Sequence, residues 1–405
     1  MRKVLKGARI IDCVSSESLE GYKIIIKEDR ILSVDKENEQ ELPGDELINL
    51  SGKTILPGLI NMHVHLTADD KEDLMPDMLS KSDEQLLLQA VSASRLTLKS
   101  GVTTVRDCGS RNNLVHWLRD AINQGKLTGP RIISSGMPIT ITGGHCFYLG
   151  VEVDGTDEIR KVVRSLVKDG ADFIKVMVTG GGSTPHTDKK APSFTDQELY
   201  TAVNEAHCNG RKVAAHAHGT RGIIQAVEVG VDTIEHCSFL TDNGMKAENH
   251  ILELMKDREI IIVPTVSGGI RRVYDGSFTV NSFDKFAKGS LVDYFHERFS
   301  LFKALYKSGV NILAGNDSGI QGTPHDDFVS ELEVMADLGM ETKEVIETAT
   351  CKAAYALGLE SEIGTIEAGK KADLLVVEGD PLQDIRILRN TYLVMVAGKQ
   401  VVFPV

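Results

Sequence analysis

None of the six cysteines (Cys13, Cys108, Cys146, Cys208, Cys237 and Cys351) forms a C-x-x-C pair. That argues against a disulfide framework and fits reduced thiols in a cytosolic protein. Cys146 and Cys237 follow candidate site histidines, yet free cysteine most often packs as a small apolar residue and is read so here. No apolar run approaches the roughly 20 residues of a membrane helix. Arg2 and Lys3 are followed by Lys6 and Arg9 before an apolar core of signal-peptide length can form. A basic patch is also missing, and the net charge of -13 argues against a nucleic-acid or anionic-membrane partner. The chain is expected to be soluble and cytoplasmic.

What is present is histidine at strand ends. In Leu59-Ile60-Asn61-Met62-His63-Val64-His65 two imidazoles sit one residue apart at the end of an apolar run. Strand side chains alternate between faces, so both rings point the same way, as two ligands of one ion would. Val213-Ala214-Ala215-His216-Ala217-His218 repeats the pair. Phe173-Ile174-Lys175-Val176-Met177-Val178 buries a lysine in a β-branched run and breaks into Gly180-Gly181-Gly182. Thr233-Ile234-Glu235-His236 and Asn311-Ile312-Leu313-Ala314-Gly315-Asn316-Asp317 end two further segments in ligand-type side chains.

At 405 residues and 41% hydrophobic, the chain can bury a large core. Eight β-branched runs alternate with amphipathic stretches: 59–65, 102–107, 131–135, 173–178, 213–218, 233–236, 260–265 and 311–317. Eight parallel strands with intervening helices make a TIM-type (β/α)8 barrel, and its site is built at the strands' C-terminal ends. Thr195-x-x-Glu198 is a capping box, and Leu199, Val203 and Ala206 follow as an apolar stripe. The flanks read as short strands joined by glycine-punctuated turns. Residues 1–56 and 363–405 are therefore expected to form a small β-sandwich from both chain ends, beside a barrel over 57–362. The weakly periodic stretch from Ser267 to Ser290 is expected to include an active-site loop.

These residues together resemble the metal-dependent amidohydrolase superfamily. The resemblance runs from Ile55-Leu56-Pro57-Gly58-Leu59-Ile60 to Gly369-Lys370-Lys371-Ala372-Asp373-Leu374. It implies that His63 and His65 ligate a first metal ion, that a carboxylated Lys175 bridges two ions, that His216 and His236 ligate the second, and that Asp317 is both ligand and base. Imidazoles and carboxylates suit two divalent ions such as Zn²⁺, with no organic cofactor. A structural lysine snorkelling out of the sheet is the plain alternative for Lys175. By alternation alone either His216 or His218 could be the ligand; the resemblance favours His216 and leaves His218 as a substrate contact. His145, in Gly143-Gly144-His145-Cys146, looks like the loop histidine that faces the substrate.

The expected reaction is metal-assisted amide hydrolysis, with Asp317 taking the proton of the nucleophile and passing it to the leaving nitrogen. The motif set looks most like the dipeptidase and prolidase-like branch, with imidazolonepropionase more distant. That branch implies a dipeptide or N-acyl amino acid with a free carboxylate, of Xaa-Arg, Xaa-Lys or Xaa-Pro type. The His-Ala-His-Gly form departs from the tyrosine expected of a prolidase and weakens a proline-specific reading. A cyclic amidase is the enzymatic alternative, and a non-catalytic metal-binding barrel the remote one, disfavoured by Asp317 and an open loop at Gly180 to Gly182. A homo-oligomer is left open. Arg106 and Asp107 are read as a buried ion pair, and His207 as a favourable cation late in its helix. His116, His186, His250, His296 and His325 are read as surface or packing residues, with His186 and His325 the nearest to exceptions.

Overall fold

The computed structural model describes residues 2–38, 41–71 and 73–401. All eight apolar runs become parallel strands: β1 (Leu59–Val64), β2 (Val102–Asp107), β3 (Arg131–Ser134), β4 (Ile174–Met177), β5 (Val213–Gly219), β6 (Thr233–Thr241), β7 (Ile261–Val263) and β8 (Asn311–Ile312). At least one helix follows each strand, among them Asp83–Lys99 after β1, Asp196–Cys208 after β4 and Val292–Ser308 after β7. This is a TIM-type barrel. The strands pair as β1-β2-β3 and as β4-β5-β6-β7-β8, and the third strand resumes as Ile139–Thr140 to pair with β4. Between β1 and β8 the closure is a seam of individual bonds. Met62 N donates to Ala314 O (3.1 Å), Asp317 N to His63 O (2.9 Å) and His65 N to Ser318 O (2.8 Å).

Alternation divides the strands as their pattern dictates. Val213, Ala215 and Ala217 of β5 join the large apolar core shared with the helices, whereas His216 and His218 belong to the other face. The helix after β4 starts where its capping box places it. Thr195 Oγ1 accepts from Glu198 N, and Glu198 Oε2 accepts from Thr195 N at 2.9 Å; such a cap contributes about 1 kcal/mol. His207, near its end, meets the carboxylate of Asp232 at 2.8 Å.

Both chain ends build the sandwich. One sheet runs Arg30–Lys36, Tyr22–Lys27, Arg2–Lys6, Glu46–Asn49, and the other Arg9–Ile10, Lys53–Pro57, Leu374–Glu378, Thr391–Val396, Lys399–Val401. A core of its own, with Leu5, Ile24, Ile26, Ile55, Leu374 and Met395, lies between them. The Ser267–Ser290 stretch holds more order than its sequence suggests: a turn of 3-10 helix at Ile270–Arg272 and a capped helix at Val280–Phe286. Among the described residues no helix is long and apolar enough to cross a membrane.

Candidate metal centre and active-site cavity

His63, His65, His145, Lys175, His216, His218, His236 and Asp317 all line one cavity of about 390 Å³. They come from β1, β4, β5, β6 and the loops after the third and eighth strands, at the face where barrel sites form.

The histidines are aimed by their second nitrogens. The ring Nδ1 of His63 lies 2.8 Å from Glu235 Oε2, that of His65 3.1 Å from Gly109 O, and the Nε2 of His216 3.2 Å from Gly180 O. A carboxylate or carbonyl only accepts, so each of these nitrogens carries the proton and the other nitrogen of each ring presents a lone pair. The free Nε2 atoms of His63 and His65 lie 3.3 and 3.4 Å from Asp317 Oδ1. Three acceptors converging at such distances repel one another unless positive charge sits between them. A proton on His65 is one way to supply it. Burial works against that proton, but the hydrogen bond and charge of Asp317 prevail and raise the imidazole above its ordinary range. Burial likewise pushes Asp317 up, and the charges of His63, His65 and Lys175 outweigh it and hold the carboxyl below its usual range.

Lys175 does not snorkel. It is 1% exposed, and its Nζ has no hydrogen-bond partner. An ammonium left so is expensive, and conversion to a metal-bound carbamate would remove the penalty. His236 joins two ligand-competent groups, one with His63 and Asp317 and one with His216 and His218; in each, the donor atoms lie within 4.8 Å of one another. The donor set therefore fits divalent ions.

Two backbone departures assemble this set. His236 has φ 66° and Asp317 has φ 64°, left-handed values that a side chain bearing Cβ adopts at a cost. The turn at His236 breaks the alternation of β6, so that Glu235 and His236 both reach His63: the first by its hydrogen bond, the second with ring centroids 5.3 Å apart.

Arg106 and Asp107 do not pair with each other. Neighbours on a strand face opposite ways, and Arg106 turns inward, with Nη2 2.6 Å from Glu235 Oε1 and Nε 2.7 Å from Met62 O. Asp107 instead accepts from Leu66 N at 2.9 Å, and burial lifts it to about 6. Burial also opposes ionisation of Glu235, but Arg106 and Lys175 hold it below the usual carboxylate range.

The glycine loop after β4 is not open in the expected way, since Gly180 and Gly181 are buried. A Cβ on Gly181 would meet His145 Nε2 at 2.2 Å, so glycine there lets the imidazole lie against the chain. His145 packs 4.5 Å from the ring of His216, and burial depresses its pKa to about 3. His218 stacks on His236 at 4.7 Å and places Nδ1 2.9 Å from Ser238 Oγ. His325 is a packing residue, with Nε2 3.0 Å from Ala68 O, and His186 is exposed. Cys146 Sγ lies 3.3 Å from His145 Nε2, and burial pushes its thiol up to about 12; Cys237 is buried outside the cavity lining.

The sequence shared with known proteins matches this geometry: the amidohydrolase family model covers residues 54–401. The chain belongs to the amidohydrolase family. As an amidohydrolase it is a hydrolase acting on C–N bonds. It is similar to a solved Xaa-Pro dipeptidase with methionine bound in its active site, at 31% identity and TM-score 0.86, over 99% of this chain and 100% of that one. Ochratoxinase of Aspergillus niger is 29% identical over 371 residues, 83% of this chain and 72% of the relative. Imidazolonepropionase of Fusobacterium nucleatum is 24% identical over 400 residues, 88% of this chain and 85% of the relative.

Several lining residues of this amidohydrolase gave no signal in the sequence. Lys189 comes from a loop, where no period marks it, and Tyr294 and Arg298 come from the helix Val292–Ser308, beside its buried stripe of Phe295, Phe299 and Phe302. Glu331, a carboxylate buried within the helix Val329–Asp337, is hidden because its residue type reads as exposed. Its buried carboxyl accepts from Val266 N, Ser267 N and Ser267 Oγ at 2.6 to 2.8 Å and braces the loop beside Thr265, which in turn contacts His236 Nδ1.

Proposed function

We infer that the protein is a binuclear metal-dependent amidohydrolase that cleaves the amide bond of a dipeptide or N-acyl amino acid carrying a free carboxylate. The observation that carries this reading is the convergence of bare imidazole nitrogens on Asp317 beside an unpartnered, buried Lys175. In this reading His63 and His65 hold one ion, His216 and His236 the other, and Lys175, as a carbamate, and Asp317 complete the set. Ions bound there, Zn²⁺ by the donor chemistry, supply Lewis acidity and a water of lowered pKa.

The chain's own groups do the rest. Asp317 takes the proton of the attacking water and returns it to the leaving nitrogen, as a carboxylate held ionised in a buried site can. His145 and His218 flank the ligand cluster and donate hydrogen bonds to the substrate. The Xaa-Pro dipeptidase supports an amide beside a carboxylate-bearing residue. Imidazolonepropionase supports a second reading, a cyclic amide, and His218 in place of a tyrosine favours keeping it.

Metal analysis with a hydrolysis screen over dipeptides, N-acyl amino acids and cyclic amides tests the assignment. Close to two Zn²⁺-like ions per chain and cleavage of acid-terminated amides are expected. Amidating the substrate carboxylate should remove a charge-assisted contact and lower kcat/KM by about 10- to 150-fold. Equal cleavage of acid and amide forms, or cleavage of cyclic amides alone, would favour the second reading.

A further inference from the structure

The cavity carries a cationic end that the metal centre does not use. Lys189, Arg272 and Arg298 line it, whereas among the described residues the acidic side chains in the lining are Asp73 and Asp317. In a chain of net charge -13 this is a local reversal of sign. Lys189 and Arg272 make no ion pair with any described residue. Arg298 is fixed differently: Nη1 donates to Gly268 O at 2.9 Å, Nη2 to Thr265 O, and the guanidinium lies 5.5 Å from the ring centre of Tyr294. The Lys189 ammonium lies over the same Tyr294 ring at 5.8 Å. One aromatic ring thus has two cations beside it at the cavity wall, where self-repulsion is relieved when an anion enters.

Both cations share the cavity lining with His145 and His218. A second stretch of the lining, with Leu74, Met75, Leu149, Met177 and Ile320, belongs to an apolar cluster.

Resting on the hydrolase reading above, we propose that Lys189, backed by Arg298 across Tyr294, is the subsite for the substrate's free carboxylate, and that the remaining wall selects apolar over basic side chains. The charge that holds the carboxylate then comes from Lys189, and His145 and His218 contribute hydrogen bonds. A substrate ending in arginine or lysine would bring a further cation to a lining in which Asp73 is the one described acidic side chain outside the metal centre, so of the dipeptide classes the apolar ones fit.

The test uses the purified full chain with its metal content measured in every variant, and 3-phenylpropanoate and 3-phenylpropanol as probes that cannot be hydrolysed. Wild type should bind the acid more tightly than the alcohol, and salt should narrow the gap. Lys189→Ala should shrink the acid-to-alcohol ratio about 10-fold or more at unchanged metal content, and Lys189→Arg should recover most of it. In turnover, Lys189→Ala should raise KM for N-acetyl-L-methionine far more than it lowers kcat. An unchanged acid-to-alcohol ratio in Lys189→Ala would overturn the proposal, as would faster wild-type cleavage of Xaa-Arg than of Xaa-Met dipeptides. Wild type that binds the acid through Lys189 but hydrolyses no N-acyl amino acid or dipeptide would overturn the hydrolase reading and leave the anion subsite standing.

Discussion

The two histidine pairs, His63-Val64-His65 and His216-Ala217-His218, have the same spacing and the same kind of strand beneath them, yet the structure uses them differently. In the first pair both second nitrogens meet groups that can only accept, Glu235 and Gly109 O, and both remaining nitrogens meet Asp317. In the second, His216 is fixed by Gly180 O, but His218 meets the hydroxyl of Ser238, which donates or accepts equally well. Spacing decides which face a side chain occupies; the partner of its far nitrogen decides what it can do there.

The largest way to break the comparison is to remove the groups both pairs converge on. Lys175→Ala should lose most of the metal and nearly all activity; full metal occupancy with normal turnover would show that the lysine bridges nothing. Asp317→Asn keeps size and some ligand capacity, so kcat should fall by about 10² to 10⁴, the usual share of a general base. A variant holding both ions and more than about a tenth of wild-type kcat, well above that range, would assign the proton to another group.

Smaller effects sharpen it. Glu235→Gln frees His63 from its charged acceptor, and metal affinity measured against a competing chelator should weaken about 10- to 100-fold. Within the second pair the outcomes should split. His216→Ala should lose bound metal, and His218→Ala should keep both ions while raising KM; identical metal loss in the two variants would erase the distinction between ligand and substrate contact.

The smallest effect is a pH trend in the metal-stripped protein. Burial holds His63 near 4 and His145 near 3, and keeps His216, His218 and His236 well below their ordinary value. Unfolded imidazoles titrate near ~6.5. Below that pH the unfolded chain binds protons that the folded one refuses, so these groups lose stability for the protein as the pH falls toward 4. Burial raises Glu331 to about 7 and Asp107 to about 6, and Asp317 raises His65, which act in the opposite sense. Five lowered imidazoles outnumber these three groups, so Tm should fall from pH ~6.5 downward. A flat or rising Tm would show that the cluster is already protonated.

Much of this was legible in the residues, because both the barrel and its ligands follow from alternation. The strand runs found their places, and the eight singled-out side chains line a single cavity. Failures arose where alternation stops or where a partner is remote. Arg106 and Asp107 were paired as neighbours although strand parity sends them to opposite faces; parity was a usable signal. The true partner of Arg106, Glu235, is 129 positions away on a strand that β2 does not pair with. Positive φ at His236 and Asp317 is invisible in residue type, since neither is glycine. Lys189 sits in a loop, where no period marks a side chain as inward, and Arg298 is a charged residue beside the buried face of its helix.

The seam between β1 and β8 has a further meaning. Asp317 donates its amide to His63 O, and His65 donates its own to Ser318 O. Two of the three bonds that shut the barrel there therefore involve the residues that would grip the first ion, and a gauge of the one is a gauge of the other. Amide hydrogen exchange at His65 and Asp317 should slow when metal is added and quicken when a chelator removes it. In this protein one joint of the barrel would be clamped by its own cargo.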